Sequence, residues 1–132
     1  MDESFGKKEK LKSKVLIDKL FAEGQTVKKY PLLLVYTRLQ NPSEKVNKVG
    51  VSVSKRNFKR AVDRIKIKRL MREVFRKNKY LVTSNLAHNY AVMLIYTGRE
   101  VWSYADLSRN GEELLKRFVA QEKMKEHEKD PL

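Results

Sequence analysis

The chain has no cysteine, and its 132 residues include three prolines and five glycines. Without cysteine it can form no disulfide, no thiolate metal site and no cysteine nucleophile, which suits a reducing compartment. No hydrophobic run approaches the ~20 residues that span a membrane. The first ten residues lack the apolar core of a signal sequence. We therefore expect a cytoplasmic protein of one domain, residues 1–132, with loose tails over 1–10 and 120–132.

Catalytic groups are also scarce. The two histidines, His88 and His127, lie in a polar loop and in the charged tail, without a residue to orient them as a general base. Asp63 and Glu73 lie among Lys and Arg, where ion pairing is a more ordinary role than metal ligation. No Gly-rich phosphate loop is present. The sequence thus predicts no catalytic residues and no metal bound by the protein itself.

Acidic residues are the minority, and the basic excess is concentrated in one stretch. The chain has 30 Lys and Arg against 16 Asp and Glu, a net charge of +14. Residues 55–79 alone hold 12 basic residues against two acidic ones. A run of this density is typical of nucleic-acid binding. A membrane surface is the competing partner, but no helix has the long aromatic-rich apolar face that such binding uses.

From Ala61 onward the basic stretch is predicted to be a helix with two distinct faces. One face is apolar and consists of Ile67, Leu70, Met71 and Val74, with Phe75 at its edge. The other is basic and consists of Lys68, Arg69, Arg72 and Arg76. Helices that read DNA bases usually expose Asn, Gln or Ser beside Arg. A face of Lys and Arg alone suits phosphate contacts, so we expect this helix to position a folded polyanion, and DNA is not the expected partner.

The rest of the chain predicts an α+β fold with helices packed on one sheet. The predicted elements are a helix from Ser13 to Gly24, a strand over 31–39, a strand over 49–54, the basic helix over 61–77, a strand over 90–98 and a helix over 103–119. Gly111 is expected to weaken the last helix locally. Phe21 either packs in the core or lines a groove. Ser52 lies on a strand face of small residues that is either solvated or a binding surface.

Two segments carry a family resemblance. VGVSVSKR (49–56) followed by AVDRIKIKRLMREVFR (61–76) resembles the signature of the bacterial ribonuclease P protein subunit, in which a strand of the type VGxSVSKK precedes AVxRNRIKRLIRE on a helix. LKSKVLIDKLFAEGQTV (11–27) resembles the first helix of that family, and SYADL (103–107) resembles the start of its last one. The resemblance covers about residues 9–119.

The resemblance implies an α/β sandwich with a left-handed βαβ crossover, against the usual right-handed rule. It also implies a partnership with a large catalytic RNA, which removes the 5′ leader from precursor tRNA and carries the chemistry with Mg²⁺. In the family, the motif helix contacts the RNA subunit, and a cleft between the first helix and the sheet takes the single-stranded leader.

Residues are assigned to these two surfaces from the basic stretch and the resemblance. The RNA-binding set is Lys55, Arg56, Lys59, Arg60, Arg64, Lys66, Lys68, Arg69, Arg72 and Arg76. The leader-cleft set is Ile17, Phe21, Tyr36 and Ser52. The chain departs from the family pattern at Ile65, where Asn is usual, at Lys66 in place of Arg, and at Ile17, where an aromatic often occurs.

Two other functions stay open from the sequence. A structural RNA-binding protein of the ribosomal type would share the basic surface, but it would not need a leader cleft. A stand-alone Mg²⁺ nuclease would need clustered carboxylates, which the basic stretch does not offer.

Overall fold

A computed structural model describes residues 10–11, 14–39, 47–86 and 88–128. Its elements are α1 (Lys14–Glu23), β1 (Gln25–Lys29), β2 (Leu32–Arg38), β3 (Lys48–Val53), α2 (Ala61–Asn78), α3 (Tyr80–Thr83), β4 (Tyr90–Tyr96) and α4 (Tyr104–Glu128). The predicted α+β class is confirmed, because one mixed sheet carries helices on its faces.

The four strands are ordered β1-β2-β4-β3. The β1–β2 and β2–β4 pairs are antiparallel, and the β3–β4 pair is parallel. A parallel pair needs a crossover connection, and here α2 and α3 lie within it. The left-handed sense that the family resemblance implies stays a prediction. β4 therefore lies between the β1–β2 hairpin, with which it pairs antiparallel, and the edge strand β3, with which it pairs parallel.

Both faces of the sheet are covered, which explains the continuous apolar run of β2. On one face, Leu33 and Val35 pack with Leu20 of α1. On the other face, Leu34 and Tyr36 belong to the larger core, beneath α2 and α4. Alternate residues of a strand point to opposite faces, so a strand covered twice reads as unbroken apolar sequence.

The apolar face predicted for α2 is confirmed. Ile67, Met71, Val74 and Phe75 are buried, and Leu70 packs against the same core. Gly111 lies where α4 meets this face, and a Cβ atom built there would be 2.4 Å from Cγ1 of Val74. α4 continues through Gly111 without a break. The glycine therefore allows the two helices to approach closely.

Two elements were not predicted from the sequence. β1 has the sequence QTVKK, in which only Val27 is buried. It is an edge strand that pairs with β2 and is contacted by α4. α3 follows α2 after a single residue. In β1 the apolar signal is too short to mark a strand; pairing with β2 supplies the stability that the local sequence lacks.

The expectation of a loose tail from Ala120 is wrong for residues 120–128, because α4 continues to Glu128. Glu122 is buried with 1% of its surface exposed. Its carboxylate accepts hydrogen bonds from the Tyr36 hydroxyl at 2.6 Å and from Nε of Arg38 at 3.0 Å. These contacts with β2 hold the helix end on the sheet. At the other terminus Lys10 bridges to Val49, while residues 1–9 and 129–132 lie outside the described residues.

Candidate nucleic-acid interface

The basic face of α2 points away from the core. Lys66, Arg69 and Arg72 are exposed, and within the described ranges no carboxylate forms an ion pair with any of them. Lys66 and Arg69, and likewise Arg69 and Arg72, are neighbours at i,i+3 on the helix surface, where like charges repel one another. An anionic partner would relieve that repulsion. The surface is therefore suited to a chain of phosphates.

The basic surface extends into the connection before α2. Lys55, Arg56, Lys59 and Arg60 are exposed there. Nη1 of Arg64 donates to the backbone carbonyls of Phe58 at 2.7 Å and Lys59 at 2.9 Å. The Arg64 guanidinium, which belongs to the predicted RNA-binding set, thus stabilises the loop that carries these four exposed cations. We call residues 55–60 the basic loop.

Arg76 is partly neutralised within its own helix. Its Nε and Nη2 atoms contact the two carboxylate oxygens of Glu73 at 3.0 and 2.5 Å. The hydrogen bond from Arg76 holds the pKa of Glu73 below its ordinary value. This confirms ion pairing as the role of Glu73. Arg60 lies 4.0 Å from Asp63, and Lys68 is half-buried. Within α2, the exposed cations without a described carboxylate partner are therefore centred on Lys66, Arg69 and Arg72.

Ile65 lies on this outer face, with 56% of its surface exposed. Val62, one turn earlier, is 66% exposed. By the helical period, Ile65 lies on the same side of α2 as Arg69 and Arg72. An apolar side chain here cannot donate the hydrogen bonds of the amide that the family pattern has, so any contact it makes with a partner is by packing.

The predicted cleft residues divide between the two faces of the sheet. Ile17 packs against the α1 side of the sheet, and Phe21, one turn later, is 59% exposed. Gly50 faces Met93 and Leu11 on that same side, so Ser52, two residues on, shares its face. The reading of Phe21 as a core residue is wrong, since a packed aromatic would be covered.

Tyr36 is the exception, and its assignment to the cleft is wrong. It has 1% exposure on the α2–α4 side, where its ring packs 4.5 Å from that of Phe118. Its hydroxyl donates to Glu122 at 2.6 Å. Burial, followed by this hydrogen bond, raises the pKa of Tyr36 well above its ordinary value. The Tyr36 hydroxyl therefore serves as a hydrogen-bond donor inside the protein.

No catalytic constellation appears among the residues that the structure describes. No three or more His, Asp and Glu side chains gather there as metal ligands would. His88 is exposed, and the side chain of His127 lies outside the described residues. In that same part of the chain, no helix combines the length and apolar character needed to cross a membrane.

The amino-acid sequence of this chain is similar to those of ribonuclease P protein components. Residues 5–119 match the family model for Ribonuclease P. The chain is 39% identical over 80 residues to the ribonuclease P protein component of Porphyromonas gingivalis, covering 61% of this chain and 58% of that protein. It is 36% identical over 97 residues to that of Chlorobaculum tepidum, covering 67% and 62%. The matches therefore span about three fifths of these relatives.

Solved structures show the same fold. The RNase P protein of Staphylococcus aureus superposes with a TM-score of 0.67 at 23% identity, covering 82% of this chain and 93% of that one. The RNase P protein of Thermotoga maritima gives a TM-score of 0.67 at 21% identity, covering 83% and 96%. With the family match over residues 5–119, these findings show that the chain belongs to the family of bacterial ribonuclease P protein components.

Proposed function

We propose that this protein is the protein subunit of a ribonuclease P and assists a catalytic RNA in removing the 5′ leader from precursor tRNA. Its basic loop and α2 would bind the RNA subunit. The groove between α1 and the sheet would bind the single-stranded leader. The proposed setting is the bacterial cytoplasm.

One observation supports this proposal above the others. α2 is the next element in the chain after β3, and it carries Lys66, Arg69 and Arg72, with which no described carboxylate pairs. Ser52 of β3 lies on the sheet face that carries α1. A single strand-and-helix unit therefore supplies both a phosphate-binding surface and part of the sheet face beside α1, where we place the leader. A protein that only decorated a folded RNA would need the first surface and not the second.

Chemistry is assigned to the RNA partner in this proposal. Phosphodiester hydrolysis needs a group that activates water and a charge that stabilises the leaving oxygen. The described residues offer cations that can position phosphates, and they offer no cluster of carboxylates. We propose that Mg²⁺ is bound by the RNA and that this chain supplies binding and orientation.

The direct test is cleavage of a precursor tRNA at low Mg²⁺ with protein alone, with ribonuclease P RNA alone and with both. We expect strong stimulation only in the mixture. Cleavage by the protein alone would contradict the proposal. Tight binding to the RNA without stimulation, with RNA from the same source, would favour a structural RNA-binding role of the ribosomal type.

Phe21→Ala is expected to weaken binding of a precursor tRNA with a leader by about 5- to 150-fold, because a base stacked on an aromatic ring contributes roughly 1–3 kcal/mol. Phe21 is 59% exposed, so the fold should not depend on it. The measurement is the Kd of the reconstituted holoenzyme for precursor and for mature tRNA.

Val15→Ala is the matched control for Phe21→Ala. Val15 is an apolar residue of the same helix with 77% exposure, and it lies on the other side of the α1 stripe. We expect no change for this variant. An equal loss for precursor and mature tRNA with Phe21→Ala would place the ring outside a leader site.

A further inference from the structure

Exposed and half-buried aromatic side chains occur at the end of the sheet where β4 leads into α4. Tyr30, in the turn between β1 and β2, is 61% exposed, and Tyr104, the first residue of α4, is 39% exposed. Trp102, two residues before Tyr104 in the chain, is half-buried. Its ring centroid lies 6.0 Å from that of Tyr30 in an edge-on arrangement. We call these three residues the aromatic surface. Grouped aromatics left in solvent mark interaction sites more often than single ones do.

The backbone beneath the two contacting rings is fixed by hydrogen bonds from distant elements. Nδ2 of Asn110 in α4 donates to the carbonyl of Tyr30 at 2.9 Å. The N–H of Thr97 donates to the carbonyl of Pro31 at 2.7 Å, and its hydroxyl contacts the same oxygen at 3.0 Å. The turn that carries Tyr30 is thus tied to both β4 and α4.

Trp102 is held by a buried phenol. Its backbone N–H donates to the Tyr96 hydroxyl at 3.2 Å, and that hydroxyl donates to the carbonyl of Glu100 at 2.5 Å. Burial raises the pKa of Tyr96, so the phenol keeps the proton that it donates. Rings presented on a fixed backbone lose little conformational entropy when they bind a ligand.

The basic loop contacts Gly98 and Tyr96, and the Tyr96 hydroxyl supports the backbone of Trp102. Nδ2 of Asn57 donates to the carbonyl of Gly98 at 3.5 Å, and the rings of Phe58 and Tyr96 lie 5.8 Å apart. Arg99 is exposed, and within the described ranges no carboxylate forms an ion pair with it. Flat apolar faces beside unpaired cations complement a polyanion that carries unstacked rings, which describes single-stranded RNA.

We propose that the aromatic surface stacks unpaired bases of single-stranded RNA and extends the contact made by the basic loop. This inference rests on the proposed RNA-binding function. It names a site separate from the α1 groove, because Trp102 packs against the core on the α2–α4 side of the sheet. An RNA segment that leaves α2 along the basic loop would reach these rings.

The chain contains one tryptophan, so the protein carries its own reporter at this site. The experiment is a titration of the full chain with a fluorophore-labelled oligouridylate of about 10 nucleotides, a length in the range that single-strand sites occupy. Anisotropy of the label follows binding, and Trp102 emission follows the aromatic surface. We expect saturable quenching of Trp102 that is much weaker with a duplex RNA of equal length.

Tyr30→Ala and Tyr104→Ala are each expected to weaken oligouridylate binding by about 5- to 150-fold, the loss of one stacked base. Tyr80→Ala is the control, because Tyr80 in α3 has 40% exposure, close to that of Tyr104, and lies in another part of the fold. Circular dichroism melting of each variant checks that folding is unchanged.

The outcomes separate this inference from the proposed function. Binding seen by anisotropy with unchanged Trp102 emission, or with Tyr30→Ala and Tyr104→Ala as tight as the original chain, would overturn the inference and leave RNA binding intact. Equal quenching by duplex RNA would overturn it too, because paired bases cannot stack on the rings. Absence of binding to any RNA would contradict the proposed function itself.

Discussion

Replacing Lys66, Arg69 and Arg72 together with glutamine is expected to weaken RNA binding by about 100- to 500-fold at about 0.1 M salt. The three side chains are exposed, and no described carboxylate pairs with them. Each phosphate contact releases close to one condensed counterion, so the slope of log K against log salt should also fall by about 2 to 3. Fluorescence anisotropy of labelled ribonuclease P RNA at several salt concentrations measures both quantities.

A matched variant carries Lys116→Gln, Arg117→Gln and Lys123→Gln on α4. It has the same change of net charge, but Lys116 and Arg117 already pair with Glu112 and Glu113. We expect this variant to lose far less affinity and to keep its salt slope. Equal losses for the two triple variants would mean that net charge, and not the α2 surface, determines binding.

Replacing Glu122 with leucine is expected to destabilise the fold by about 3 kcal/mol. The carboxylate is buried, and it lies 3.0 Å from Nε of Arg38, whose side chain is 24% exposed. Removing one partner of a buried ion pair leaves the other charge uncompensated, which typically costs about 3–5 kcal/mol; the exposure of Arg38 favours the lower end. Chemical denaturation followed by circular dichroism gives the free energy of unfolding.

Glu113→Gln serves as the control for this prediction. Glu113 is on the same helix and pairs with Lys29, but its side chain is 48% exposed. Its replacement should cost much less than Glu122→Leu, as for surface pairs in general. A cost for Glu122→Leu as small as that for Glu113→Gln would show that residues 120–128 contribute little to folding.

The contribution of Glu122 to the free energy of unfolding is expected to depend on pH. Burial raises its pKa, but hydrogen bonds from Tyr36 and Arg38 outweigh burial, and the pKa lies below its ordinary value. A carboxylate whose pKa is lowered by folding stabilises the folded state at pH values above its unfolded-state pKa of about 4.3. This stabilisation is lost as the pH falls through the pKa of the folded state. The difference in stability between the original chain and Glu122→Gln should therefore shrink below about pH 4.3.

The local pattern of the sequence predicts the elements that have strong periodicity. α2 was predicted over 61–77 and lies at Ala61–Asn78, because its apolar residues recur at helical spacing without Gly or Pro. β1 was not predicted, because Val27 is its single buried residue. Its formation depends on pairing with β2. Non-local pairing of this kind leaves almost no trace in a short window of sequence.

The candidate site was predicted only in part, and the errors have one physical origin. Glu122 reads as a solvated tail residue because its partners Tyr36 and Arg38 are 86 and 84 residues away in the chain. Tyr36 was assigned to the wrong face of the sheet, and a shift of one residue along a strand is enough to reverse the face. The helical period predicted the basic face of α2 in part: Arg69 and Arg72 are exposed, whereas Lys68 is half-buried and Arg76 pairs with Glu73.

The position of β4 in the sheet has a consequence for synthesis. β4 pairs with both β2 and β3, so neither of its two ladders can be complete until residue 96 has left the ribosome. By then the basic loop and α2 have already emerged, at roughly 5–20 residues per second. The nascent chain therefore displays its most cationic segment before it has the sheet that orients that segment, and a transcript ending before Tyr96 would encode the cations without their scaffold.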